Sequence, residues 1–302
     1  MGILEDQPSG RRFTLGARCL VGRHDACDVR VADARVSSEH ASLHWLGDRW
    51  ELRDLGSRNG TSVGGKRLAP GERVLLPEGG AFALGAPTRV FTLVDGSAPR
   101  VSAKRARTGE VHGGTEGFLA LPDDDRPAAS VFEDVHGEWV LEGDDALRVV
   151  HDHEPVVVDG ETWVLSLPVS HRETIASTQT PVLEDVTLRL LVSRDEEHVE
   201  ATVVHRDRSI LLPPRTFHYL LLTLARARHE DTEQPEGERG WMERDDLCRM
   251  LAVDALKLNT DICRLRKQLG EIGVRGAPGI VQRRPGSGQV RIGIDRLEIA
   301  RL

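Results

Sequence analysis

The chain from residue 11 to about residue 95 reads as short strands cut by Gly, Asp and Asn, a pattern that confines this region to an all-β fold. "HASLHWL" (His40–Leu46) and "RWELRD" (Arg49–Asp54) alternate across a Gly-Asp turn, the signature of a hairpin. "ERVLL", "AFALG" and "RVFTLV" carry the pattern on to Val94. Regular short strands with polar connections predict a β-sandwich, in which each strand buries one face against a second sheet. One stretch, "DLGSRNGTSVGG" (Asp54–Gly65), holds almost nothing apolar beyond Leu55 and Val63 and cannot build a core. It is either a plain solvated loop or a segment whose polar tips hold a ligand.

Its polar neighbours decide between the two. "LVGRHDACDVRV" supplies Gly22 and Arg23 at a strand end, "RVSSEHASL" supplies Ser37 and His40, and "GSRNGT" supplies Asn59, Gly60 and Thr61. A sandwich displays its loops at one end, so these three can converge. Arg23 offers a guanidinium fork for phosphate, Ser37 a hydroxyl donor, and Asn59 an amide able to pair with a peptide backbone. The glycines permit the tight turns that would place them.

Over roughly Gly16 to Asp95 the combination Gly-Arg, Ser-x-x-His and Asn-Gly-Thr resembles the forkhead-associated (FHA) domain, a phosphothreonine-peptide reader. The resemblance implies that Arg23 and Ser37 hold the phosphate, that Asn59 holds the peptide main chain, and that His40 braces the loops with Gly22, Gly60 and Thr61 as structural residues. It sets Arg58 where a phosphate-contacting Thr is often found, and Arg35 near the position that reads the residue three beyond the phosphothreonine. Two departures bear on affinity. Ser38 replaces the basic residue or Asn common after the key Ser, and Gly64 replaces the Asn usual later in the loop.

After Asp95 the pattern dissolves into Gly, Pro, Ser, Ala and charge, so residues 98–130 are expected to be a linker, with 1–97 as the FHA domain. Its "RVSAKRAR" (Arg100–Arg107) reads as a solvated basic segment, with nucleic-acid contact as the alternative. Residues 131–170 return to β character, with "GEWVL" and "ETWVLSL" as strands, and form a small segment of unassigned role that faintly echoes "DRWELRD". Residues 171–185 form a Thr-rich connector. Its Thr174, Thr178 and Thr180 are candidate phosphorylation sites for capture in cis or in trans, set against plain linker threonines.

From residue 186 to 302 strands give way to helices. Leu258, Ile262, Leu265 and Leu269 in "ALKLNTDICRLRKQLG" define one buried stripe, which leaves Lys257, Asn259, Thr260, Asp261, Arg264, Lys267 and Gln268 for the outer face. Such a face suits the major groove, where Arg pairs with guanine and Asn with adenine, although any solvated amphipathic helix is also charged. A following hairpin, "GIVQRRPGSGQVRIG", adds Arg283, Arg284 and Arg291. From about Val186 to Gly293 the chain resembles the winged-helix DNA-binding domain of OmpR-class response regulators. That resemblance implies DNA contacts by Lys257, Thr260, Arg264, Arg266 and Lys267 on the helix and by the three hairpin arginines. Pro285 departs from it, standing where the wing tip usually carries Arg.

The chain carries 40 Lys and Arg against 48 Asp and Glu, a net charge of −8 that disfavours nucleic acid at face value. Ala255–Gly293, however, holds eight basic residues and two acidic ones, so one end is basic within an acidic chain. The polar N-terminus lacks a secretory h-region, and Tyr219–Ala225, the longest apolar run, is far too short to span a bilayer. The four cysteines fit no zinc spacing and read as reduced buried thiols. No nucleophile–base set, metal cluster or phosphate-cradling Gly loop is visible. The expectation is therefore a multidomain cytoplasmic regulator, non-enzymatic and without metal or cofactor. An all-β sandwich would be joined to an α+β winged helix-turn-helix with a β-strand platform. Its partners would be a phosphothreonine-containing protein or peptide, double-stranded DNA and a Ser/Thr kinase pathway, with no membrane and with the oligomeric state open, a dimer included. The alternative is a signalling adaptor in which the C-terminal domain makes protein contacts, and a third possibility is a sandwich that has lost its ligand.

Overall fold

The computed structural model describes residues 1–115, 117–134, 136–143, 146–168 and 181–302. The three candidate threonines of the connector lie outside the described residues. The chain divides into two compact units: Met1–Ser102 with a short segment beginning at Ser166, and Ala103–Leu165 together with the C-terminal part of the chain.

The N-terminal unit is a β-sandwich. One sheet has six strands in the order Arg11–Thr14, Ile3–Asp6, Val90–Asp95, Ala81–Leu84, Thr61–Val63 and Lys66–Arg67. The other has five, in the order Val29–Arg30, Arg18–Gly22, Ala41–Trp45, Trp50–Asp54 and Arg73–Leu76. The hairpin read from the sequence pairs Ala41 with Asp54, Leu43 with Leu52 and Trp45 with Trp50. That register sends Ala41, Leu43, Trp50 and Leu52 inward, where they meet Leu4, Val21, Phe82, Leu84, Phe91 and Leu93. Period-two alternation therefore fixes which side chains of the hairpin face the core.

The second unit opens with two four-stranded sheets. The first runs Val111–Gly113, Ser102–Arg105, Glu161–Ser166 and Pro155–Val158, and the second Phe118–Leu121, Ala129–Glu133, Trp139–Glu142 and Leu147–Val149. Residues 98–130 are thus not a linker. Val101, Ala103 and the run Phe118–Leu121 are buried, and Phe118–Leu121 pairs residue for residue with Ala129–Phe132. The apolar runs are so short that the Gly, Pro and Asp of their turns dominate the composition, which is why the segment reads as unstructured. In the basic run at its start Arg100, Lys104 and Arg107 are exposed, as a solvated segment would be, and only Arg105 is half-buried. Arg105 lies 4.8 Å above the Trp163 ring, with Glu110 and Glu161 within ion-pair distance.

The C-terminal part has a sheet ordered Arg208–Leu211, Val199–His205, Thr187–Val192 and Leu297–Arg301, the last strand parallel to its neighbour. Three helices follow: α1 (His218–Glu230), α2 (Arg244–Leu251) and α3 (Ala255–Glu271). Asp254 caps α3 by accepting the Lys257 N–H, which fixes where the helix begins. Leu258, Ile262, Leu265 and Leu269 of α3 join Leu220, Leu221 and Leu224 of α1 in one core with the sheet. The strands Val281–Arg283 and Gln289–Ile292 form the expected hairpin, and Met242–Glu243 adds a third strand to it. Among the described residues no helix is long and apolar enough to cross a membrane.

Candidate functional site

The polar stretch Asp54–Gly65 is organised by its first residue. Asp54 ends the strand Trp50–Asp54 and is 1% exposed. One carboxylate oxygen accepts the N–H groups of Gly56 (2.8 Å) and Ser57 (3.0 Å). The other accepts the Ser57 hydroxyl (2.7 Å), the Thr61 N–H (3.1 Å) and the Thr61 hydroxyl (2.6 Å). Burial alone would push this carboxyl up, but the hydrogen bonds from Thr61, Ser57 and Gly56 outweigh it and hold the pKa below the ordinary carboxylate value. The loop therefore has a buried anion for a core in place of apolar residues.

That hub leaves Arg58 and Asn59 exposed at the tip. The Arg58 N–H donates to the Ser37 hydroxyl oxygen (3.1 Å), and the Asn59 amide donates to the Arg35 carbonyl (2.8 Å). Arg23 reaches the same place from its strand end, its N–H bonded to the Ser37 carbonyl (2.9 Å) and its Nε to the Val36 carbonyl (3.3 Å). Ser37 Oγ accepts that one bond, and its hydroxyl hydrogen is able to turn toward a further acceptor. Among the described residues neither Arg23 nor Arg58 has a carboxylate partner, so both guanidinium charges are uncompensated on the loops that carry Ser37 and Asn59.

His40 holds the three segments together from beneath. It is fully buried, Nδ1 accepts the Ser37 N–H (3.0 Å), and the proton left on Nε2 is donated to the Gly60 carbonyl (3.1 Å). Burial drives its pKa below the ordinary histidine value, against a smaller upward pull from the Gly60 carbonyl. A lowered folded value means that the stability from this bridge is fully present above about pH 6.5 and is lost as pH falls through that lowered value. NMR titration of the ring is expected to show that lowered midpoint, with the Ser37 amide signal shifting in step.

Two glycines are sterically required. A Cβ at Gly22 would lie 2.1 Å from the Ser38 carbonyl oxygen, so any side chain would push the Arg23 strand off the Ser37–Ser38 segment. Gly60 sits at φ +82° with the Arg67 side chain 2.2 Å from where a Cβ would stand. Arg35 lies at the rim and is committed locally, donating Nε (3.0 Å) and Nη2 (2.7 Å) to the two carboxylate oxygens of Asp33. That fork, with the Arg35 N–H, pulls the Asp33 pKa down to about 2. Ser38 is exposed beside an open groove bordered by Arg23, Arg30 and Asp33. Asp54 was not among the residues read from the sequence as functional, although an Asp two and three residues ahead of Gly and Ser is an Asx-turn signal.

The basic end presents a different picture. Of the helix residues expected on DNA, Thr260 and Arg266 are buried, as are Asn259, Asp261 and Gln268. They do not form an outer face: the sheet of Phe118–Val149 packs over Thr260 and Arg266, while Gln268 turns the other way, bonded to His218 (2.9 Å) and to the Pro213 carbonyl (2.8 Å). Arg266 makes a two-pronged pair with Glu142 (2.8 and 3.0 Å) and donates to the Val281 carbonyl (2.8 Å). Thr260 donates to the Asp125 carbonyl (3.1 Å), Arg264 reaches the Asp125 carboxylate (3.5 Å), and Lys267 pairs with Asp124. Lys257 pairs along the helix with Asp261. In the hairpin, Arg283 lies 3.2 Å from Glu142, Arg284 pairs with Glu238, and Arg291 donates to Gln282 (2.7 Å). Arg284 and Arg291 both lie against the Trp241 ring, at 4.7 and 4.4 Å.

Comparison with known proteins bears on the first of these sites. The FHA domain family model matches residues 19–85. The FHA domain-containing protein FhaB of Mycolicibacterium smegmatis is 33% identical over 89 residues, 29% of this chain and 52% of that protein. The oxoglutarate dehydrogenase inhibitor of Corynebacterium jeikeium is 41% identical over 56 residues, 18% of this chain and 39% of that one. Among solved structures, Mycobacterium tuberculosis EmbR in complex with a low-affinity phosphopeptide is 30% identical over 30% of this chain and 23% of that one, with a TM-score of 0.28. The chain spans about half the length, or less, of the curated relatives it matches. The matched residues run from the strand before Arg23 to the end of strand Ala81–Leu84 and take in every loop of the site, so this part of the N-terminal unit is an FHA domain.

Proposed function

We propose that the chain is a phosphothreonine-dependent regulator, with the FHA domain as input and a winged-helix DNA-binding element at the C-terminus as output. The observation that carries the input is the meeting of Arg23, Ser37, Arg58 and Asn59 on loops tied down by the Asp54 and His40 hydrogen bonds, with neither arginine paired to a carboxylate among the described residues. A phosphothreonine dianion, at about −1.5 to −2 charge, fits such a set, and a neutral threonine would gain little from it. The similarity to the FHA domain-containing protein FhaB is in keeping with this reading.

Fluorescence polarisation of phosphothreonine-peptide pools, with unphosphorylated pools as control, tests it. Arg23→Ala removes a charge-assisted contact worth about 1.5–3 kcal/mol, so affinity is expected to fall about 10- to 150-fold. Equal binding by wild type and variant, or equal binding of phosphorylated and plain pools, would sink the reading.

The output reading rests on helix pair α2–α3, the basic hairpin after it and the concentration of positive charge between Ala255 and Gly293. DNA affinity should fall steeply with rising salt as counterions are released. The adaptor reading stays in play on one observation, that a protein surface already occupies the outward side of α3.

A further inference from the structure

The β module Phe118–Val149 meets α3 with a particular chemistry. Its turn Pro122–Pro127 contains Asp123, Asp124 and Asp125 in succession. Asp123 folds that turn by accepting the N–H groups of Asp125 (3.0 Å) and Arg126 (2.8 Å), which leaves the next two carboxylates directed at Lys267 and Arg264. Glu142, from the neighbouring strand, takes the fork of Arg266 and lies beside Arg283. The cations that would meet DNA phosphates and guanine edges are thus met by carboxylates of the same chain, one acid for each of Arg264 and Lys267 and one shared by Arg266 and Arg283.

The two faces of α3 are unlike each other. The inner face is committed to the large apolar core with α1 and the sheet. The face under the β module has only a small apolar cluster, Phe118, Ala120, Phe132, Val140 and Cys263, and is otherwise polar and charged. Asn259, Thr260, Arg264 and Lys267 give this face polar and charged contacts in place of an apolar stripe, and covering buried Arg with Glu adds little net stability. The same groups do have a use on a nucleic-acid backbone, which binds them by the same charge-assisted bonds.

We propose that this β module is a removable acidic mask that stands in for DNA on α3, so that the helix binds either the module or DNA. This inference rests on the DNA reading proposed above. Its test uses the full chain with two changes that leave net charge untouched. Phe132→Ala removes the ring lying 5.0 Å from the Arg266 guanidinium and loosens the mask. Ser130→Cys puts a thiol in place of the hydroxyl 3.7 Å from the Cys263 sulfur, so that oxidation ties the mask to α3. Alkylation of Cys263, which is buried under the mask, reports uncovering by peptide mass mapping, and polarisation of a labelled random DNA duplex at low salt reports output.

In Phe132→Ala we expect Cys263 labelling and DNA affinity to rise at least tenfold together. Oxidised Phe132→Ala carrying Ser130→Cys should lose the DNA affinity and regain it on reduction. If wild type binds DNA as tightly as Phe132→Ala while Cys263 stays protected, the mask is refuted and the DNA reading stands. If Cys263 becomes reactive and no DNA binds, the DNA reading itself fails and takes the mask with it. If Cys263 stays protected in Phe132→Ala, the cover is permanent and the proposal is wrong.

Discussion

Asp54→Ala is expected to lower the stability of the N-terminal unit by about 3–5 kcal/mol, because it strips five donors, four of them on the buried Ser57 and Thr61, of one shared acceptor. Denaturant unfolding of wild type and variant measures the loss. Asp54→Asn keeps one oxygen acceptor and should cost markedly less. Phosphopeptide affinity should fall with the stability, since Arg58 and Asn59 ride on the loop that Asp54 ties down. The carboxyl is held below its ordinary value, so its contribution is fully present above about pH 4 and disappears as pH falls through the lowered folded value. An acid titration of stability is therefore expected to be flatter below pH 4 in Asp54→Ala than in wild type. A loss of less than about 1 kcal/mol would mean that the loop is held by something other than this anion.

Glu142→Ala should be the second large effect, at about 3–5 kcal/mol on the packing of α3 against the β module. Arg266 is 1% exposed at its side chain and Glu142 7%, so deleting the acid leaves a buried guanidinium over the stacked Phe118 and Phe132 rings, with only the Val281 carbonyl left to accept from it among the described residues. Arg283 loses the Glu142 carboxylate 3.2 Å away at the same time. Replacing both partners with apolar groups of similar size, Glu142→Leu with Arg266→Met, removes the stranded charge and should recover most of the loss. Hydrogen exchange along α3 and reactivity of Cys263 measure it directly. Equal protection in wild type and Glu142→Ala would show that the ion pair is incidental to the packing.

The sandwich and the convergence of Arg23, Ser37 and Asn59 on neighbouring loops were legible in the sequence because both depend on local signals. Alternation in His40–Leu46 and Arg49–Asp54 set the hairpin register, and Gly-Arg, Ser-x-x-His and Asn-Gly-Thr fell on strand ends that a sandwich must bring together. Asp54 escaped notice because its role is the sum of five bonds to three residues, visible only once the loop is closed. The β module was misread for a different reason. Phe118–Leu121 is an apolar run of four residues framed by Gly117 and Pro122, too short to stand out from the polar turns on either side. The face of α3 was read correctly as polar, and its burial could not be foreseen. Periodicity separates the apolar stripe from the rest of a helix, but it cannot say that a sheet from more than a hundred residues earlier supplies acids to cover what remains.

The central claim is that phosphothreonine is read at the rim formed by Arg23, Ser37, Arg58 and Asn59. The most direct measurement is an amide-shift map recorded while a phosphothreonine peptide is titrated into isotope-labelled full chain. We expect the largest shifts at Arg23, Ser37, Ser38, Arg58, Asn59 and Gly60, with none of them moved by the unphosphorylated peptide. Shifts centred elsewhere, or the same shifts with and without the phosphate, would contradict it.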